Sequence, residues 1–96
     1  MSISKLLKEK RREILRIADE YGARNVRVFG SVARGESDEN SDIDLLVQFA
    51  PGVTLLQHAA LVRELESLLG AKVDVVSERA LKSRIKDRIT KEAVPL

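Results

Sequence analysis

The chain has 96 residues, no cysteine, 44% hydrophobic and 33% charged residues, and a formal net charge of +2. That length admits one domain, spanning 1–96, with a core that needs no covalent staple, and the missing thiols exclude disulfides and thiolate metal sites. No apolar run approaches the roughly 20 residues needed to cross a bilayer, and Met1-Ser2-Ile3-Ser4-Lys5 lacks the apolar centre of an export signal, so a soluble, cytoplasmic protein is expected.

The charge is laid out in blocks. Lys5 to Arg16 carries six bases against Glu9 and Glu13, Glu36 to Asp44 carries five acids and no base, and Arg79 to Lys91 carries six bases against Asp87 alone. An acidic centre suits cations and the basic flanks suit anions, although charged outer helix faces are common in any soluble protein.

In chain order, Ile3, Leu7, Ile14, Ala18 and Tyr21 recur at helical spacing, which predicts one helix from Ser4 to about Tyr21, capped by Ser2 or Ser4 and ended by Gly22. Asn25-Val26-Arg27-Val28-Phe29 alternates like a half-buried strand and stops at Gly30-Ser31. Glu36 to Ser41 is polar and turn-rich, hence a loop; Ile43 to Val47 is a second strand, ended before Pro51-Gly52. Thr54 and Gln57 can form a capping box ahead of a helix whose buried stripe is Leu55, Ala59, Val62, Leu65 and Leu69, with Gly70 at its end. Lys72 to Val76 is a third strand, and Ser77 can cap a last helix bearing Leu81, Ile85 and Ile89. The fold class is α/β (α+β), a small three-stranded mixed sheet with helices packed on it.

The chemistry concentrates in Gly30-Ser31-Val32-Ala33-Arg34-Gly35 and Ser41-Asp42-Ile43-Asp44. Residues two apart on a strand face the same way, so Asp42 and Asp44 project side by side and repel unless a cation sits between them or one is protonated. Asp74 stands in the apolar run Val73-Asp74-Val75-Val76, where an ionised side chain is costly unless paired or metal-bound. If the second and third strands are neighbours, three carboxylates share a face and can hold two divalent ions, a set suited to phosphoryl or nucleotidyl transfer. Gly30 lets backbone N–H groups approach phosphate oxygens and Ser31 adds a hydroxyl donor. Arg34 can reach a phosphate or pair with the acidic loop. Each piece alone is common; their combination in this order is what carries the reading.

These segments resemble the GS…DxD signature of the DNA polymerase β-like nucleotidyltransferases, and GSVARG…SDIDLLV followed by KVDVV is most similar to the minimal nucleotidyltransferases of prokaryotes. The resemblance implies that Gly30 and Ser31 hold the triphosphate of ATP, that Asp42 and Asp44 bind two Mg2+ ions, and that Asp74 binds the catalytic ion and helps to deprotonate the acceptor hydroxyl. Arg34 and Ser41 join the nucleotide-binding set, with Gly35 positioning the loop. It further implies an antitoxin that transfers AMP from ATP to a tyrosine hydroxyl of a HEPN toxin, held as a hetero-oligomer with that partner.

Two rival readings stand beside this one: an antitoxin that neutralises its partner by binding alone, and a nucleotidyltransferase acting on a small molecule or RNA. Direct nucleic-acid binding is disfavoured, because at 3% aromatics the basic helices have no stacking platform. His58 reads as a core-edge residue, since no second histidine exists to share catalytic work. The tail Glu92 to Leu96 is apolar enough to pack back on the domain or on a partner. Polymerase β-like enzymes that choose their own acceptor usually carry a further domain to hold it, so the shortness of this chain points to an acceptor that docks from outside.

Overall fold

The structure is a computed structural model that describes residues 3–36 and 42–96. Helices α1 (Ile3–Glu9) and α2 (Arg11–Glu20) lead into strand β1 (Ala23–Phe29), followed by a one-turn helix α3 (Gly30–Ala33) and strand β2 (Ile43–Phe49). Helix α4 (Leu55–Leu69), strand β3 (Val73–Ser77), a 3-10 turn (Glu78–Ala80), helix α5 (Ser83–Glu92) and the two-residue strand β4 (Val94–Pro95) complete it. The strands form one mixed sheet in the order β3-β2-β1-β4, with β2 and β3 parallel and both other pairs antiparallel.

The expected single N-terminal helix is two. Between Leu7 and Ile14 the apolar stripe misses a turn, the positions being taken by Glu9, Lys10, Arg11 and Arg12. Lys10 leaves the helical region there (φ −98°, ψ 7°), and each half buries its own residues, Ile3 and Leu7 in α1 and Ile14, Ile17 and Ala18 in α2. Ser4 lies inside α1, and Ser2 is outside the described residues.

The second and third strands are neighbours, the condition for their aspartates to share a face, but the sheet has four strands, not three. The apolar tail supplies the fourth, as Arg27 pairs with Pro95 and Val28 with Val94, while Leu96 N–H donates to the Val26 carbonyl. Two residues ending in proline carry too little pattern to be read as a strand.

Register sorts the side chains into two faces. Ile43, Leu45 and Val47 of β2 join Val28, Val73 and Val75 on the face covered by α2 and α4, with Ile14, Leu61 and Leu65 at its centre. Asp44, Leu46 and Gln48 turn to the other face, together with Phe29 and Arg27 of β1 and Asp74 and Val76 of β3. Leu46 is fully buried there, so both faces are covered over the sheet's middle. This corrects the half-buried reading of β1: Arg27, expected to face solvent, is buried on the second face against Glu78 of the 3-10 turn. A bulge between Arg24 and Arg27, with Asn25 at φ 51°, also interrupts its alternation, and asparagine tolerates that left-handed backbone better than most residues.

The Thr54–Gln57 capping box forms in full and Gly70 ends α4 in the left-handed conformation. The buried stripe of α4 is shifted from the expected one, running through Leu61, Leu65 and Leu69, whereas Leu55 is 86% exposed and Ala59 faces out. In the first turn of α4, Leu55 and Leu56 both face out, and His58 is the residue that turns toward the sheet. Ser77 caps nothing through its side chain; α5 starts later, after Lys82, and none of its residues is fully buried. No helix among the described residues is long and apolar enough to cross a membrane.

Candidate active site

The predicted residues gather at one end of the sheet. β1 ends at Phe29, which pairs with Asp44, and Asp44 pairs in turn with Asp74 of the neighbouring parallel strand. Gly30 follows immediately, at φ 73°, a conformation that favours glycine. A Cβ at Gly30 would collide with Asp44 Oδ2 and lie 3.2 Å from its Cγ. The turn at the end of β1 is therefore built around the Asp44 carboxylate.

Among the three aspartates Asp44 is the one withdrawn from water. Asp42, one residue ahead of β2, and Asp74 are both exposed. This reverses the expectation for Asp74. Its neighbours Val73 and Val75 line the opposite, core face of β3, while Asp74 itself looks out from an edge strand. Burial pushes the Asp44 carboxyl above the ordinary carboxylate range, the charges of Asp74 and Asp42 add to the rise, and Arg34 opposes it. Among the described residues no three acidic, histidine or cysteine side chains converge tightly enough to hold one ion as they stand. The aspartates line a common wall with their charges coupled through Asp44.

The one-turn helix α3 sets Ser31 beside Gly30, and its backbone carbonyl accepts from Glu36 N–H at 2.9 Å. Arg34 meets two acids: Nε donates to Glu36 at 2.9 Å and Nη1 donates to Glu92. Gly35 is also at positive φ (74°), closing the turn after α3. Ser41 lies outside the described residues.

Glu92, the last residue of α5, is the site residue that sequence reasoning missed. Its second carboxylate oxygen accepts from Gly30 N–H at 3.3 Å, across 62 residues of chain. The only local hint is that it is an acid closing a strongly basic helix. His58 stays out of this region, as expected: Nε2 donates to the Val75 carbonyl at 2.7 Å and the ring packs on Phe49, 4.9 Å between centroids.

The sheet end thus places a glycine turn against a half-buried aspartate, with a second aspartate in register on the next strand. Comparison with known proteins gives the family. Residues 7–96 match the family model of the nucleotidyltransferase domain. The chain is 43% identical over 88 residues, covering 92% of it and 95% of the relative, to a provisionally named protein adenylyltransferase of Methanocaldococcus jannaschii. It is 42% identical over 78 residues to the protein adenylyltransferase MntA of Thermococcus cleftensis, covering 81% of this chain and 79% of that one. Among solved structures, one described as a minimal nucleotidyltransferase superposes with a TM-score of 0.90 at 51% identity, covering 100% of this chain and 97% of the other. A complex of a tri-AMPylated HEPN toxin with its MNT antitoxin from Shewanella oneidensis shares the fold alone, at a TM-score of 0.70 and 19% identity, over 92% of this chain and 69% of that one. The chain belongs to the nucleotidyltransferase domain family, in its minimal nucleotidyltransferase branch.

Proposed function

We propose that this protein is a single-domain, Mg2+-dependent antitoxin that transfers AMP from ATP to a tyrosine hydroxyl of a HEPN toxin partner. The observation that carries the proposal is the register that sets Asp44 beside Asp74 and directly against Gly30. It puts paired carboxylates and a backbone donor within one small site. Relatives named protein adenylyltransferases support the type of acceptor, and structures of MNT antitoxins with HEPN toxins support the kind of partner.

The residues present fit the implied metal. Asp42, Asp44 and Asp74 are hard oxygen donors; burial first, and then the charges of Asp74 and Asp42, raise the Asp44 carboxyl, and a cation relieves the repulsion among them. When bound, Mg2+ neutralises phosphate charge and makes the acceptor hydroxyl more acidic. The chain's own groups do the rest. Gly30 N–H, the Ser31 hydroxyl and the Arg34 guanidinium donate to the triphosphate, with Ser41 in the same nucleotide-binding set. Asp74, exposed beside Asp44, is open to an incoming hydroxyl and takes its proton. The tyrosine oxygen forms the new bond to the α-phosphorus, the bond to the bridging oxygen breaks, and pyrophosphate leaves.

The test is co-expression with the HEPN partner followed by intact-mass measurement of that partner. We expect added mass in steps of one AMP, lost when Asp42 and Asp44 are both replaced by Asn. A partner of unmodified mass that is nevertheless silenced would overturn the transfer reading and favour neutralisation by binding.

A further inference from the structure

The donors assigned to the triphosphate already hold an anion. Glu92 takes Gly30 N–H through one carboxylate oxygen and the Arg34 guanidinium through the other. A backbone N–H beside an arginine is the kind of donor pair that recognises a phosphate. The Glu92 carboxyl is held below the usual range, chiefly by its hydrogen bond from Arg34 and further by the one from Gly30, so it is an anion at neutral pH. Its charge also reaches Asp44 and adds to the crowding of negative groups there.

One N–H cannot serve two anions at full strength. Nor does Glu92 suit a supporting role while it stays in place. Arg34 already carries Glu36 on Nε, so Glu92 brings a second carboxylate to one guanidinium and leaves a net negative charge where a polyanion has to sit. The element that carries Glu92 is lightly held. α5 buries no residue fully, and Ile85 on its apolar side is 49% exposed. Beyond it the chain is fastened by Leu96, through its N–H to the Val26 carbonyl and its carbonyl from Arg11 Nε at 2.8 Å. With the tail paired to β1 from Val94 onward, the Glu92 carboxylate can swing away by side-chain rotation without the tail leaving the sheet.

We propose that Glu92 is an internal occupant of the triphosphate site, displaced when nucleotide enters, and that it thereby sets the affinity of the enzyme for its donor. This rests on the nucleotidyltransferase reading above. Binding exchanges one anion for another on Gly30 and Arg34, so part of the affinity is spent on expelling Glu92.

The experiment compares the full chain with Glu92→Gln and Glu92→Asp by calorimetric titration with Mg-ATP and, separately, with Mg-tripolyphosphate, after thermal melts confirm folding. Gln keeps the shape and loses the charge, while Asp keeps the charge and shortens the reach. We expect both variants to bind both ligands more tightly, Glu92→Gln by about tenfold, the scale of one charge-assisted hydrogen bond forgone. In 1H–15N spectra without ligand, the Gly30 amide should move in both variants, and in the wild type it should move on addition of tripolyphosphate. Equal or weaker binding by the variants, with the wild type still binding Mg-ATP, overturns the role of Glu92 and leaves the nucleotidyltransferase reading intact. Failure of all three proteins to bind Mg-ATP at millimolar concentration overturns both.

Discussion

The Asp44 carboxylate rests against the Cα of Gly30 so closely that no side chain fits between them. This contact ties the end of β1 to the start of β2 and explains why the turn must be glycine twice over. The backbone is left-handed there, at φ 73°, and the space a Cβ needs is taken. Gly30→Ala is therefore expected to cost more than the roughly 1–2 kcal/mol of the left-handed backbone alone, because Asp44 must also move. Thermal melting should show a loss of several degrees, and Mg-ATP binding should fall at least tenfold. Gly35→Ala shares the positive φ and meets nothing within 4 Å among the described residues, so it should show the backbone cost without the binding defect. Equal binding defects in the two variants would remove the Gly30–Asp44 contact from the site.

A pH dependence follows from Asp44. Its folded pKa lies above its unfolded value, raised first by burial and then by Asp74 and Asp42. Such a group takes up a proton on folding, so its contribution to stability grows as pH falls through the folded pKa toward the unfolded value near 3.9 and is a cost at neutral pH. Asp44→Asn should then melt higher than the wild type at pH 7.5 without divalent ions, and the difference should vanish near pH 3.5. Adding Mg2+ should raise the wild-type melting temperature and leave the variant unmoved. A variant that melts lower than the wild type at pH 7.5 would show that Asp44 is a structural acceptor and not a strained one.

The acidic end of this site was legible in the sequence because its parts are local: Asp42 and Asp44 flank one residue, and Gly30-Ser31 closes one strand. The helix cap at Thr54 and Gln57 was legible for the same reason. What escaped depended on which face or which distant segment a residue meets. Asp74 reads as buried because its neighbours are apolar, yet Val73 and Val75 on either side of it face the core and Asp74 the other way. Arg27 reads as exposed because it alternates with valines, yet the second face is covered at that point. Glu92 reaches Gly30 only through the path of α5 back across the sheet, and no local pattern encodes that.

His58 offers a test of structure against chemistry in a residue type often taken for a catalyst. It satisfies the Val75 carbonyl on the outer edge of β3 and packs on Phe49, while Glu66 of the same helix accepts from Val73 N–H at 3.1 Å. Together they close an edge that would otherwise offer free backbone groups to another strand. His58→Ala should lower stability by about 1–3 kcal/mol, the cost of an unpaired buried carbonyl, measured by denaturant titration. Mg-ATP affinity should not change, because the nucleotide site is at the other end of β2. A loss of affinity without a loss of stability would place His58 in the chemistry after all.

The buried cation of β1 gives the last expectation. Arg27 donates from Nε to the Asn25 carbonyl at 3.1 Å and from Nη1 to Glu78 at 3.4 Å, and its buried Nη2 has no partner among the described residues. Glu78 is held below the usual carboxylate range, first by Gln48 at 2.6 Å and then by Arg27. A lowered folded pKa contributes stability that is present above the unfolded value near 4.3 and is lost as pH falls through the folded one. Glu78→Gln should therefore lower the melting temperature at pH 7 by several degrees, with the gap to wild type closing near pH 3. It strands a buried charge, whereas Arg27→Met removes the charge together with its orphaned donor and should cost less. The ordering of the two variants is what matters. If Arg27→Met proves the worse, the packing of the arginine stem against Leu46 and β4, and not its ion pair, is what holds this face of the sheet.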